Sequence, residues 1–310
     1  MRNYMLKRIL QAIGVVFAIS AITFFVLNVV PGDPVRLMMG ELVDDAVIEQ
    51  VRHTMGLDRP LIEQYVTWIG GIFQGDFGIS YTQRQPVISL MVSAFAVTAK
   101  LAIAAYVFAL VLGVVSGCVA AIFHGTWIDR TIMSVMILGI SAPVFWVAII
   151  LQIVFSLKFN LFPLSGIATP MHFVLPTLAL GVRYAAAISR VTRTAMLDVL
   201  GQDYMRTSKA KGLSRFVVNV KHGLRNALIP IITIAGTELG NIFTGSILIE
   251  SIFSMPGMGK LLLDAINMRD LPLVQGGVMY IAIVCVVVYL LVDVAYAFVD
   301  PRIRLGKEAE

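Results

Sequence analysis

Over most of this chain apolar residues neither alternate nor recur at helical spacing; they run on in long stretches almost free of charge. Six runs stand out, at 9–30, 97–123, 131–157, 173–191, 227–253 and 274–299, and no Asp or Glu interrupts the first four. A run of about 18 or more apolar residues makes a helix long enough to cross a hydrocarbon core of roughly 30 Å. In lipid every backbone N–H and C=O must be satisfied within the protein, which leaves helices and closed barrels. Barrel strands are about half as long as these runs and alternate in polarity. The pattern predicts an all-α integral membrane protein with six transmembrane helices.

The segment 31–96 is too long for a simple turn. A helix is predicted at 44–55, with Asp44 and Asp45 as capping candidates. A second is predicted at 61–73, where Ile62, Tyr65, Val66, Ile69 and Phe73 fall at helical spacing. Three parts follow: residues 1–30, the N-terminus and first spanning helix; 31–96, a helical loop; and 97–310, a five-helix membrane core carrying a polar loop at 194–226.

Composition supports a membrane protein. Of the 310 residues 58% are hydrophobic and 14% charged, with mean hydropathy +0.86, whereas a soluble domain is about a quarter charged. The net charge of +5 could suggest nucleic-acid binding, but the basic residues flank the apolar runs and no aromatic-interleaved basic domain exists. Cys118 and Cys285 both lie inside apolar runs and read as small core residues rather than a disulfide. The four histidines fall in separate segments without ligand spacing, so no metal site is expected. The first run is longer than a signal-peptide core and ends in Pro31-Gly32-Asp33-Pro34, so it reads as a retained helix.

Charge also sets orientation. Arg2, Lys7 and Arg8 place the N-terminus in the cytoplasm, and six crossings return Arg302, Arg304 and Lys307 to that side. The same topology puts 190–225, with eight basic residues against Asp198 and Asp203, in the cytoplasm. It puts the acid-rich 31–96 outside. Gly113/Gly117 and Gly236/Gly240 have the spacing of close helix packing. Pro143, mid-run after Ser141-Ala142, can kink its helix; it either lines a path or simply packs.

The cytoplasmic segment 196–232 reads as two helical pieces around a glycine. Residues 203–211 form a short basic helix with Asp203 at its positive end, and Gly212 suits a left-handed C-terminal position. Ser214 can cap the next piece, in which Phe216, Val217 and Val220 make a narrow apolar stripe. This element has no nucleophile, base and oxyanion set. It suits docking into a groove on another protein, or is merely a solvated basic loop.

At this point a resemblance enters. DYMRTSKAKG (203–212) followed by HGLRNALIP (222–230) is similar to the coupling loop of permease subunits in the dipeptide/oligopeptide/nickel/glutathione family of ABC importers. PGDP (31–34), MGLDRP (55–60), GDFGIS (75–80), ESIFSMPGMGKLL (250–262), MRDLPLVQG (268–276) and DPRIR (300–304) resemble that family in the same order, over essentially the whole chain. The likeness is nearest to the B-type permeases of dipeptide, glutathione and nickel systems. Arg206, Thr207 and Ser208 stand where the general importer motif has Glu-Ala-Ala, and Pro230 sits later than the general motif's proline.

The resemblance implies a type I, MetI-like permease fold in a bacterial inner membrane. It implies a second, C-type permease subunit, two ATP-binding subunits and an extracytoplasmic substrate-binding protein as partners. ATPase coupling would fall to Asp203, Tyr204, Arg206, Thr207, Lys209, Ala210 and Gly212. The expected cargo is short peptides, with glutathione, a nickel chelate or an opine as alternatives; a secondary transporter or channel is a further reading. The chain is expected to bind no cofactor, ATP and Mg being used by the partners. SMPGMGK (254–260) is no P-loop, because Ser254 and Leu261 stand where Gly and Ser/Thr are required. Arg183 and Glu238 lie mid-span, where a charge costs at least ~2.5 kcal/mol on insertion scales. With Pro143 they are candidates for the translocation path, as partners of each other or of a substrate's termini.

Overall fold

The computed structural model describes residues 2–29, 34–39 and 43–299. Twelve α-helices run in order among them: α1 (Arg2–Val29), α2 (Pro34–Met39), α3 (Asp45–Thr54), α4 (Leu61–Phe73), α5 (Val87–Ile122), α6 (Trp127–Ser141), α7 (Val144–Leu151), α8 (Val174–Leu200), α9 (Asp203–Ala210), α10 (Arg225–Ile252), α11 (Met258–Asn267) and α12 (Leu271–Val299). π-Helical turns extend α7 over Gln152–Lys158 and precede α10 over Val217–Leu224. Among the described residues five helical stretches are long and apolar enough to cross a membrane. A bent pair, Trp127–Ser141 with Val144–Lys158, brings the total to six if it counts as one span. Of the PGDP motif only Pro34 is described, and DPRIR lies outside the described residues.

Two expectations need correction. The third run is not one helix: its axis turns by 105° at Ser141–Pro143. Ala142 adopts an extended ψ of 131°, as the residue before proline is driven to do, and Pro143 then caps α7. The second run starts ten residues early, at Val87, because small polar residues such as Ser89 and Ser93 return their hydroxyls to backbone carbonyls and stay helical. At 36 residues α5 is about 54 Å long, well beyond the roughly 30 Å core.

The chain forms two compact units. Among the described residues, the first comprises those within Met1–Val97 and Pro256–Leu290, and the second those within Thr98–Met255 and Leu291–Glu310. In the first, Phe77, Val87, Met91 and Ala94 pack with Met258, Ala265, Leu273 and Met279. A Cβ on Gly276 would lie 2.6 Å from Val87, so only glycine admits this contact. Asp44 caps α3 as expected, accepting from Ala46 N at 3.2 Å. Helix α4 has its expected bounds but a different inner face. Tyr65 bonds Ser20 at 2.8 Å, and the Tyr65 and Trp68 rings stack near Phe24, while Ile62, Val66 and Phe73 stay exposed. The two large aromatics, one turn apart, take the seat against α1 and rotate the apolar stripe outward.

Asp270 organises one end of this unit. Its fully buried carboxylate accepts from Ser80 Oγ (2.6 Å), Thr82 Oγ1 (2.7 Å), Thr82 N (3.0 Å) and Tyr81 N (3.1 Å), and caps α12 through Leu273 N (3.2 Å). Burial opposes ionisation, but the bonds from Ser80, Thr82 and Tyr81 outweigh it and hold the carboxyl below its ordinary range. Burial, reinforced by this charge, pushes the Tyr81 phenol up to about 12.

In the second unit α8 is central, packed by α6, α7 and α10. The Gly113/Gly117 spacing does what it predicts. Cβ atoms there would lie 2.7 Å from Ala185 O and 2.5 Å from Ser189 O, so α5 and α8 meet backbone to backbone. Gly236 and Gly240 are buried on α10.

Candidate coupling helix and transport path

Helix α9 forms where the sequence predicts it. Asp203 lies in its first turn, near the positive end of the helix dipole. Thr207 and Ser208 donate back to the carbonyls of Asp203 (3.1 Å) and Tyr204 (2.8 Å), so these hydroxyls are satisfied within the helix. Gly212 ends the element at φ +75°, a conformation that other residues adopt only at a cost. Asp203, Tyr204, Arg206, Thr207, Lys209, Ala210 and Gly212 are all exposed. Met205 between them is wholly buried. One apolar anchor therefore seats α9 and turns the remaining side chains outward. Only Gly201 and Gln202 separate α9 from the end of α8.

The apolar stripe expected beyond Gly212 lies at the surface. Val218 and Gly223 are the buried residues of this piece, while Phe216 is 73% and Val220 40% exposed. The π-helical winding over Val217–Leu224 changes which positions face inward, a departure that a 3.6-residue reading cannot anticipate. Ser214 remains at the start of this piece, 3.4 Å from Val217 N.

Arg183 and Glu238 lie on the packed pair α8 and α10 but do not form an ion pair with each other among the described residues. Glu238 instead accepts from Asn241 Nδ2 at 3.0 Å, and the Asn241 carbonyl accepts from Tyr184 at 3.0 Å. Arg183 is exposed on α8. Pro143 stands at the 105° break.

Two polar clusters escaped the sequence reading. Asp129, 3% exposed in the first turn of α6, receives Arg193 Nε at 2.7 Å and Nη2 at 2.7 Å, a two-pronged grip on one carboxylate. Gly125 N (3.0 Å) and His124 Nδ1 (3.1 Å) complete the cluster, which ties the α5–α6 turn to α8. Starting the third run at residue 131 left Asp129 in a loop, and Arg193 read as one loop charge among eight. The other cluster pairs Thr98 with the fully buried Glu250, Oγ1 to Oε1 at 2.7 Å. Glu250 stood out in the sequence only as the start of a motif, and nothing local points to Thr98, 152 positions away.

Residues 109–305 match the family described as the binding-protein-dependent transport system inner membrane component, and residues 1–102 match its N-terminal part. The chain belongs to this family. It is 41% identical over 304 residues, covering 98% of this chain and 99% of the relative, to a protein of Escherichia coli named as a glutathione transport system permease. The same figures hold for the protein of that name from Shigella dysenteriae serotype 1. The inward-facing MetNI methionine ABC transporter matches 68% of this chain and 95% of its own with a TM-score of 0.53 at 17% identity, a likeness of fold. The binding-protein-dependent permease is thus a multi-span helical subunit of an ABC importer in the inner membrane, with the MetI-like fold.

Proposed function

We propose that this permease, paired with a second C-type permease, carries peptide-like solutes inward by alternating access, driven by two partner ATPases. The solutes are short peptides or the tripeptide glutathione, delivered by an extracytoplasmic binding protein. The observation that carries this reading is α9: a short basic helix anchored by one buried methionine, with all the coupling candidates exposed, at the end of the helix that packs α6, α7 and α10. The relatives named as glutathione permeases support the cargo class. Basic flanks support cytoplasmic termini, which put α9 within reach of ATPases and 31–96 toward the binding protein.

In this mechanism ATP and Mg are bound by the ATPases and not by this chain. Closure of the ATPases moves α9, and α8 and α10 follow, changing access to the path where Arg183, Glu238 and Pro143 lie. Arg183 meets a substrate carboxylate, and Glu238 with Asn241 meets its ammonium. The test is reconstitution of the four-subunit complex with its binding protein. Gly212→Val puts a β-branched residue at φ +75° and misaligns the end of α9. ATP hydrolysis is expected to continue while uptake of labelled glutathione and dipeptide falls by about tenfold or more, as a docking misfit near 1.4 kcal/mol gives. Coupled uptake at the parent level would refute the assignment of α9.

A further inference from the structure

The first compact unit contains a cavity of about 1440 Å³ that the coupling reading leaves without a role. Phe24 of α1, Trp68 of α4 and Phe77 supply apolar wall; Arg59, Asp76 and Arg84 supply charge. The volume exceeds the ~300–1,000 Å³ of ordinary small-molecule pockets, so a tripeptide-sized solute fits with water.

The polar groups in this cavity are unbalanced. No carboxylate lies within ion-pair distance of Arg59 or Arg84 among the described residues. Asp76 accepts from Gly78 N at 2.9 Å. The indole N–H of Trp68 is buried and reaches no acceptor among the described residues, while the residue itself lines the cavity. Arg84 projects from a turn held at φ +54°, its N–H bonded to Ser80 O at 2.9 Å, and Ser80 is itself fixed by Asp270. Such strain in a rigid frame is characteristic of a ligand clamp. Two guanidiniums and a free N–H against one carboxylate call for a ligand with two anionic groups and one cationic group.

We propose that this cavity binds a peptide-like solute with two carboxylates and one ammonium, the charge pattern of glutathione, as a waiting station outside the membrane path. This rests on the transport reading above. Arg59 and Arg84 each take a carboxylate, Asp76 takes the ammonium, and Trp68 donates to a peptide carbonyl. A neutral tripeptide leaves one arginine without a partner and binds more weakly.

The test uses the four-subunit complex in lipid nanodiscs, without its binding protein, in equilibrium dialysis against radiolabelled glutathione. One saturable site per copy of this chain is expected, with trialanine competing about tenfold less well. Arg59→Gln and Arg84→Gln are each expected to weaken binding by roughly tenfold or more, and Trp68→Phe, which keeps the ring and loses the donor, by about threefold to fivefold. Arg84→Lys should recover part of the loss, which a folding defect would not. Absence of saturable binding, or binding indifferent to both glutamine substitutions, overturns the proposal. Uptake into proteoliposomes with the binding protein separates the two readings. If no peptide-like solute accumulates, the transport reading fails and takes this one with it. If glutathione uptake and binding are both normal in the Arg59 and Arg84 variants, only the cavity assignment fails.

Discussion

Removing the Asp270 carboxylate should unlatch the Ser80–Pro86 turn. The native group is fully buried and accepts five hydrogen bonds between 2.6 and 3.2 Å, two of them from hydroxyls. Bonds to a charged group are worth ~1.5–3 kcal/mol each when one partner is lost, but members of one network are not additive. A net loss of about 4 kcal/mol for Asp270→Ala is at the upper end of single substitutions. Local opening of the turn would then rise by between roughly 100- and 1,000-fold, at 1.4 kcal/mol per decade. Trypsin reads this directly, because Arg84 sits in the turn and cleavage follows the open population when reclosing is fast. Cleavage after Arg84 in the assembled complex should accelerate by at least about 100-fold in Asp270→Ala, and by about tenfold in Asp270→Asn, which keeps the shape and one acceptor. The sign with pH follows from the depressed carboxyl. Its folded-state value lies below the unfolded one of ~3.9, so its contribution is complete above that pH and is lost as pH falls through the folded value. Protection of the turn should therefore be flat from neutrality to about pH 5 and decline only in stronger acid. Cleavage of Asp270→Ala within about threefold of the parent would refute the latch.

Arg193→Ala leaves Asp129 buried and charged without its partner, and should cost ~3–5 kcal/mol, read as loss of detergent-stable complex. The double change Arg193→Met with Asp129→Leu should recover most of that loss; an equally unstable double variant would count against the cluster. Met205→Ala removes the buried anchor of α9 at a cost of ~2–5 kcal/mol, and should reduce co-purification of the ATPases while leaving the membrane helices assembled. Gly113→Leu places a Cβ 2.7 Å from Ala185 O and forces α5 away from α8, so the folded yield should fall severalfold; an unchanged yield would mean the seam is not tight.

The long spans were legible because lipid demands continuous apolar length, and α9 was legible because an acidic start, a basic body and a terminal glycine are local signals. The break at Ser141–Pro143 was half legible. Proline announces a kink, but its size depends on what packs on either side. The inner face of α4 and the winding of Val217–Leu224 were not legible, since neighbouring helices decide both. The same holds for Asp270. An Asp followed by Leu-Pro announces a helix cap, yet nothing local points to Ser80, 190 positions away. The Asp129–Arg193 cluster was hidden for a similar reason, as 64 positions separate its members.

The seam between α5 and α8 has a mechanical meaning. Because Gly113 and Gly117 bring the two backbones together, and Arg193 fastens α8 to the α5–α6 turn, α8 cannot twist alone about its own axis. Its 27 residues make a rod of about 40 Å, stiffened along one side. A load applied at the Leu200 end of α8 is therefore met by a braced beam rather than absorbed as torsion in a single strut.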